Sequence, residues 1–119
     1  MSRIAILAAG LVATLALAAP IGATSSVTKL TGTVGPGFTI TLKKGTATVK
    51  TLKAGSYKIT VNDKSNIHDF HLKGPGVNKI ITTTPFKGTK TVTVKLKKGT
   101  YKYVCDPHAS LMTHSFKVT

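Results

Sequence analysis

The feature that most constrains the fold is a two-residue alternation of apolar and polar side chains that recurs through residues 27–119. In residues 91–97, Val92, Val94 and Leu96 alternate with threonines and lysines. Because successive side chains of a β-strand point to opposite faces, this pattern predicts one face in a core and the other in water. Helical periodicity is absent from this part of the chain, so the sequence predicts an all-β domain.

The alternating runs are separated by short segments rich in glycine, proline, asparagine and aspartate. Several short strands with turn residues between them are typical of a β-sandwich or a β-barrel. Strands are predicted near residues 27–34, 38–43, 45–51, 56–62, 67–72, 79–82, 90–97, 100–105 and 114–119.

The N-terminus has the composition of a secretory signal peptide. Arg3 is the only charged residue among the first 28, and an apolar run over residues 4–19 follows it. A retained membrane anchor is the alternative, but the run is short of the about 20 residues that span a bilayer. Cleavage after Ala23 is preferred to cleavage after Ala18. Residues 1–23 are thus assigned as a signal peptide and residues 24–119 as one exported domain, secreted, in the cell envelope or periplasmic, with no stable membrane insertion after cleavage.

The chain is strongly basic, with 17 lysines and arginines against 3 acidic residues and a formal net charge of +14. A solvated lysine face is the simplest explanation, and an acidic protein partner or an acidic cell-surface polymer is the functional alternative. Nucleic acid is not expected, because Arg3 is the only arginine and no aromatic cluster accompanies the lysines. We expect the domain to be a monomer.

Cys105 is the only cysteine, and it ends the predicted strand 100–105. Cysteines of exported proteins usually form disulfides, so a lone one is a buried residue, an intermolecular disulfide, a reactive thiol or a metal ligand. Tyr101, Tyr103 and Cys105 share one face of the strand. This inward placement argues against a disulfide to another chain.

A metal site is indicated by the residues around this cysteine. His108 and Met112 follow Cys105 within one short loop, and His68 lies upstream at the start of another alternating run. Two imidazoles, a thiolate and a thioether form the ligand set of an electron-transfer copper site. Zinc is the rival metal, but a structural zinc site usually has more than one cysteine, and a thioether favours copper.

Other interpretations exist for the individual residues. Met112 alone would more often fill a core. His71 alternates to the face opposite His68, so we expect it at the surface. His114 is a competing axial ligand to Met112, although we expect it to lie outside the ligand set.

The segments His68-Asp69-Phe70-His71-Leu72 and 101–108, followed by Met112, resemble the cupredoxin family in its plastocyanin-like branch. The resemblance implies a Greek-key β-sandwich of about 7–9 strands in two sheets. It implies one copper ion held by His68, Cys105, His108 and Met112. The function expected of such a site is that of a one-electron carrier and not of an enzyme, because a single mononuclear site offers no open position for a substrate. The basic face would dock an acidic redox protein. Copper storage, delivery or scavenging without a redox partner is the alternative.

Asp69 departs from this family, in which asparagine commonly ties the first histidine to the residue after the cysteine. Here that residue is Asp106, so two carboxyl groups meet. They repel each other unless one is protonated or each accepts a backbone N–H. We therefore predict that this pair makes the site pH-sensitive.

Overall fold

The computed structural model describes Gly10 and residues 26–119. The predicted signal peptide, residues 1–23, lies outside the described residues apart from Gly10, and it stays a prediction. Among the residues that are described, no helix has the length and hydropathy needed to cross a bilayer.

The described chain is built from ten β-strands and one short 3-10 turn. The strands are β1 Thr28–Val34, β2 Ile40–Lys44, β3 Ala47–Thr48, β4 Thr51–Leu52, β5 Gly55–Asp63, β6 Phe70–Gly74, β7 Val77–Thr82, β8 Gly88–Leu96, β9 Gly99–Val104 and β10 Thr113–Val118. The 3-10 turn, Asp106–His108, lies between β9 and β10. The all-β prediction is thus confirmed.

The strands form two five-stranded sheets, in the orders β3-β2-β1-β5-β8 and β4-β10-β9-β6-β7. Most neighbours are antiparallel, but β1 pairs with β5 and β4 pairs with β10 in parallel, so both sheets are mixed. The structure confirms the predicted Greek-key β-sandwich. Its strand number is larger because the predicted strand 45–51 is two short strands, β3 and β4, which belong to different sheets.

The core lies between the two sheets, where the alternation predicted it. Tyr57, Ile59 and Val61 of β5 are buried, and so are Tyr101 and Tyr103 of β9. Burying an aliphatic or aromatic side chain of this size stabilises the fold by about 1.5–3 kcal/mol. The inward row of β9 continues into Cys105, so the packing of the core fixes the position of the thiol.

Candidate metal centre

Three side chains that were predicted to lie together meet at one end of the sandwich. His68 lies in the loop before β6, while Cys105 and His108 lie between β9 and β10. Their ligand atoms are all within 4.8 Å of one another. His68 and Cys105 are fully buried, and His108 is partly exposed.

The two imidazoles present the same ring atom to the thiol. The Nδ1 atoms of His68 and His108 are each 3.6 Å from Cys105 Sγ, and 3.0 Å separates the two nitrogens. When Nδ1 is the atom that binds the metal, a neutral imidazole carries its proton on Nε2. Both histidines are therefore oriented to give a nitrogen lone pair to one central ion.

These separations fit a single first-row metal ion. Bonds of about 2.0 Å to nitrogen and about 2.3 Å to sulfur, arranged in a trigonal plane, place the donors about 3.5–3.7 Å apart. The two S–N separations match, and the N–N separation is about 0.5 Å shorter. Thiolate and imidazole donors in a trigonal arrangement are typical of a copper electron-transfer site. Among the described residues, no fourth His, Cys, Asp or Glu joins the cluster to complete a tetrahedral zinc site.

Met112 follows Cys105 and His108 in the same loop, and its side chain is fully buried. Its backbone closes the ligand loop, because Met112 N–H donates to His108 O at 2.9 Å and Cys105 N–H donates to Met112 O at 3.0 Å. Pro107 lies in the first positions of the 3-10 turn Asp106–His108, where its fixed φ is compatible with the backbone. His114 is exposed on β10 and its ring contacts Tyr103 rather than the cluster. The axial role of Met112 stays a prediction.

The backbone also supports the sulfur. Asp69 N–H points at Cys105 Sγ at 3.4 Å, which is a hydrogen bond of the kind that stabilises a thiolate. Burial nevertheless raises the pKa of the Cys105 thiol, and the charge of the nearby Asp69 carboxyl raises it further. Binding of a metal ion here therefore displaces a proton from the sulfur.

The loop after β1 packs directly on the His68 ring. Gly35 has a φ of +69°, and a Cβ added there would lie 3.0 Å from His68 Cδ2 and 3.0 Å from Ser65 Cβ. Glycine is therefore required both by the backbone conformation and by the space beside the imidazole.

A buried carboxyl lies behind His68. Asp63, at the end of β5, is 2% exposed, and its Oδ1 accepts the Ser65 N–H at 3.1 Å. Burial raises the pKa of Asp63, although the Ser65 N–H and the His68 charge act in the opposite direction. Asp63 Oδ2 and His68 Nε2 are both buried without a hydrogen-bond partner. Sequence reasoning missed Asp63, although it continues the inward row of Tyr57, Ile59 and Val61, so a carboxyl on the core side of β5 was an available signal.

Asp69 and Asp106 are linked, as their positions suggested. Asp106 N–H donates to Asp69 Oδ1 at 2.6 Å, which ties the His68 loop to the Cys105 loop. Burial, followed by the hydrogen bond to the Asp106 carboxyl, raises the pKa of Asp69 to about 6. Burial also acts to raise the pKa of Asp106, but hydrogen bonds to Asp69 and His71 and the charges of His71 and Lys73 lower it. The pair thus avoids repulsion by separating its two pKa values.

His71 was predicted at the surface, and that prediction is wrong. It does face away from His68, but it is only 9% exposed. Its Nδ1 lies 2.8 Å from Asp106 Oδ2, and its Nε2 lies 2.5 Å from Asn78 Oδ1. These polar neighbours come from β7 and the ligand loop, so they cover the ring from two sides. The resulting network braces Asp106 from outside the metal cluster.

An exposed phenylalanine covers the cluster at the end of the molecule. The Phe38 ring is 54% exposed, and its centroid lies 5.5 Å from that of His68 and 4.9 Å from that of His108. Both contacts are edge-to-face. Leu111 of the ligand loop is 69% exposed. Sequence reasoning missed Phe38, although a large apolar residue directly after Gly35-Pro36-Gly37 was an available signal.

Comparisons with known proteins agree with this fold and site. No established sequence-family profile matches the chain. Amicyanin-alpha of Methylorubrum extorquens is 39% identical over 59 residues, which cover 48% of this chain and 50% of that protein. The matched region thus spans about half the length of this curated relative.

Two solved structures are similar over most of the chain. A rusticyanin structure has a TM-score of 0.55 and 26% identity, and the match covers 76% of each chain. Auracyanin A, a "blue" copper protein from Chloroflexus aurantiacus, has a TM-score of 0.53 and 20% identity. That match covers 79% of this chain and 100% of auracyanin A, and it shows the fold alone. Together with the His-Cys-His cluster, these similarities support a blue copper protein of the cupredoxin family.

Proposed function

We propose that the chain is an exported mononuclear type 1 copper protein that carries one electron between redox partners. The observation that carries this proposal is the convergence of Cys105 Sγ with the Nδ1 atoms of His68 and His108. The proposed ligand set adds Met112 as the axial thioether. When bound, copper supplies the Cu(II)/Cu(I) couple, and the residues of this chain supply geometry, burial and access.

Rigidity of the ligand frame supports electron transfer. Fast electron exchange requires ligands that move little between the two oxidation states. Here His68 is held by the Gly35 loop, and Cys105 is held by the core strand and by the Asp69 N–H. The loop from Cys105 to Met112 is closed by its own backbone hydrogen bonds. Each donor is therefore positioned by the fold before any ion binds.

The partly exposed edge of His108 is the proposed path for the electron. It is the only one of the three clustered side chains that reaches the surface of the described chain. Phe38 and Leu111 expose apolar surface beside it. An exposed apolar patch permits close approach of a partner, as the centre of a protein interface does. Residues 24–119 hold all 16 lysines and the 3 acidic residues, so their net charge of 16 − 3 = +13 would attract an acidic redox protein.

Export and the absence of catalysis belong to the same proposal. Residues 1–23 are proposed to direct export, which would place residues 24–119 outside the cytoplasm. Bond-making chemistry is not proposed. A site with two imidazoles, a thiolate and a thioether leaves no position for a substrate.

The proposal is tested by electron exchange and by copper retention, measured on the same copper-loaded protein. Voltammetry is expected to show a reversible one-electron wave, and NMR line broadening in mixed oxidation states is expected to show rapid self-exchange. A chelator such as bathocuproine is expected to remove copper slowly. Slow self-exchange with ready copper loss would favour copper storage or delivery instead.

A further inference from the structure

The outer face of the first sheet has an unusual composition. Along β1, β2, β5 and β8, every outward-facing side chain is threonine, serine, asparagine or lysine. These side chains are exposed or half-exposed. We call this surface the Thr/Lys face, defined as the outward side chains of those four strands. It carries no aromatic, aliphatic or acidic group, and it lies away from the metal cluster.

Strand register gathers the lysines of this face into one row. Lys29 of β1 is directly opposite Lys58 of β5. Lys43 pairs with Thr31 in β2–β1, and Lys95 pairs with Ser56 in β8–β5, so each is diagonal to the central pair. Adjacent strands lie about 4.8 Å apart. The row therefore crosses four strands, and like charges placed directly opposite each other destabilise a sheet.

No acidic side chain offsets this row. The chain has three acidic residues, and all of them lie elsewhere. Asp63 and Asp69 are buried, and Asp106 is paired with His71 and Lys73 on the other sheet. The repulsion on the Thr/Lys face is thus uncompensated within the described chain, and an external anion would relieve it.

The hydroxyl groups beside the row are held in place. Thr60 Oγ1 lies 3.0 Å from Thr91 Oγ1, and Thr89 Oγ1 donates to Asn62 Oδ1 at 3.0 Å. Both pairs bridge β5 and β8. Fixing polar groups before binding reduces the entropy lost on association. The face therefore offers an ordered set of hydrogen-bonding groups next to a line of positive charge.

We propose that the Thr/Lys face binds an extended acidic polysaccharide. The lysine row would pair with its carboxylates, and the threonine hydroxyls would hydrogen bond with its sugar hydroxyls. A protein partner fits less well, because protein interfaces have apolar and aromatic centres that this face lacks. Nucleic acid fits less well, because the face has no arginine and no stacking aromatic residue. This second site is independent of copper, and it would hold the protein on an acidic polymer while the His108 end stays free.

Isothermal titration of the purified protein with polygalacturonate tests the proposal. The double variant Lys29→Gln/Lys58→Gln removes the centre of the row. The matched control is Lys102→Gln/Lys117→Gln, which removes the same charge from exposed positions of β9 and β10. Thr60→Val/Thr91→Val removes hydroxyl groups without changing charge. Polyglutamate, polyphosphate and neutral dextran are titrated in parallel.

We expect the row variant to weaken polygalacturonate binding about tenfold, equivalent to about 1.4 kcal/mol, and the control variant to change it less than twofold. The Thr60/Thr91 variant should weaken it measurably, and dextran should not bind. Relief of the Lys29–Lys58 repulsion should also leave the row variant at least as stable as the wild type in urea. If the row and control variants weakened polygalacturonate binding equally, net charge alone would explain the binding, and the proposal would be overturned. Binding of polyglutamate or polyphosphate as tight as that of polygalacturonate would also overturn it, in favour of an acidic protein or a polyphosphate.

Discussion

Replacing Gly35 by alanine tests how the fold holds His68. Gly35 has a φ of +69°, and an L-residue in this left-handed region costs about 1–2 kcal/mol. The added Cβ would also lie 3.0 Å from His68 Cδ2, and such overpacking costs about 1–3 kcal/mol. We therefore expect Gly35→Ala to lower the free energy of unfolding by about 2–5 kcal/mol and to shift the imidazole away from Cys105.

Gly45 supplies a matched control for this experiment. Its φ is +62°, but nothing lies within 4 Å of an added Cβ. Gly45→Ala should therefore lower the free energy of unfolding by only the cost of the left-handed backbone conformation, about 1–2 kcal/mol, and leave the metal site unchanged. Urea unfolding of the metal-free variants measures both free energies, and the optical and EPR spectra of the copper-loaded variants report the site. Identical stability losses and identical spectra for the two variants would refute the claim that Gly35 positions His68.

Three further predictions concern groups around the cluster. Because the pKa of Asp69 is raised to about 6, the folded metal-free protein binds more protons than the unfolded chain between about pH 4 and about pH 6. Its free energy of unfolding should therefore fall as the pH rises through this range. Urea titrations should show a smaller fall for Asp69→Asn, and a pH profile of that variant equal to that of the wild type would contradict this. Replacing His71 by leucine removes its hydrogen bonds to Asn78 and Asp106 and should lower the free energy of unfolding in urea by about 1–3 kcal/mol. An unchanged free energy of unfolding would mean that these hydrogen bonds do not stabilise the ligand loop. Leu111→Ala should change stability by less than about 0.5 kcal/mol yet slow electron self-exchange measured by NMR, and an unchanged exchange rate would remove the apolar patch from the electron path.

Much of the fold was predictable because it follows from local alternation. Tyr101, Tyr103 and Cys105 share a face with period two, and their burial follows once that face is assigned to the core. The strand predicted over 45–51 was wrong because its two halves pair with different sheets, and pairing depends on residues distant in sequence. The two strands that result, β3 and β4, are only two residues long.

The candidate site also has residues that the sequence could predict and residues that it could not. His68, Cys105 and His108 were predicted together because the cupredoxin resemblance links two separate segments, and the structure brings their donor atoms together. The burial of His71 could not be predicted, because it depends on Asn78 and Asp106 from neighbouring elements. The place of Phe38 over the histidines likewise depends on how the loop after β1 folds across the end of the sandwich.

The most direct test of the central claim is the optical and EPR spectrum of the Cu(II)-loaded protein, recorded beside that of Cys105→Ser. Serine preserves the size of the side chain, and the fold of the variant is checked by circular dichroism. We expect an intense blue thiolate-to-copper band and a narrow copper hyperfine splitting, both lost in Cys105→Ser. A pale spectrum typical of nitrogen and oxygen ligands, unchanged in Cys105→Ser, would contradict the proposed copper site.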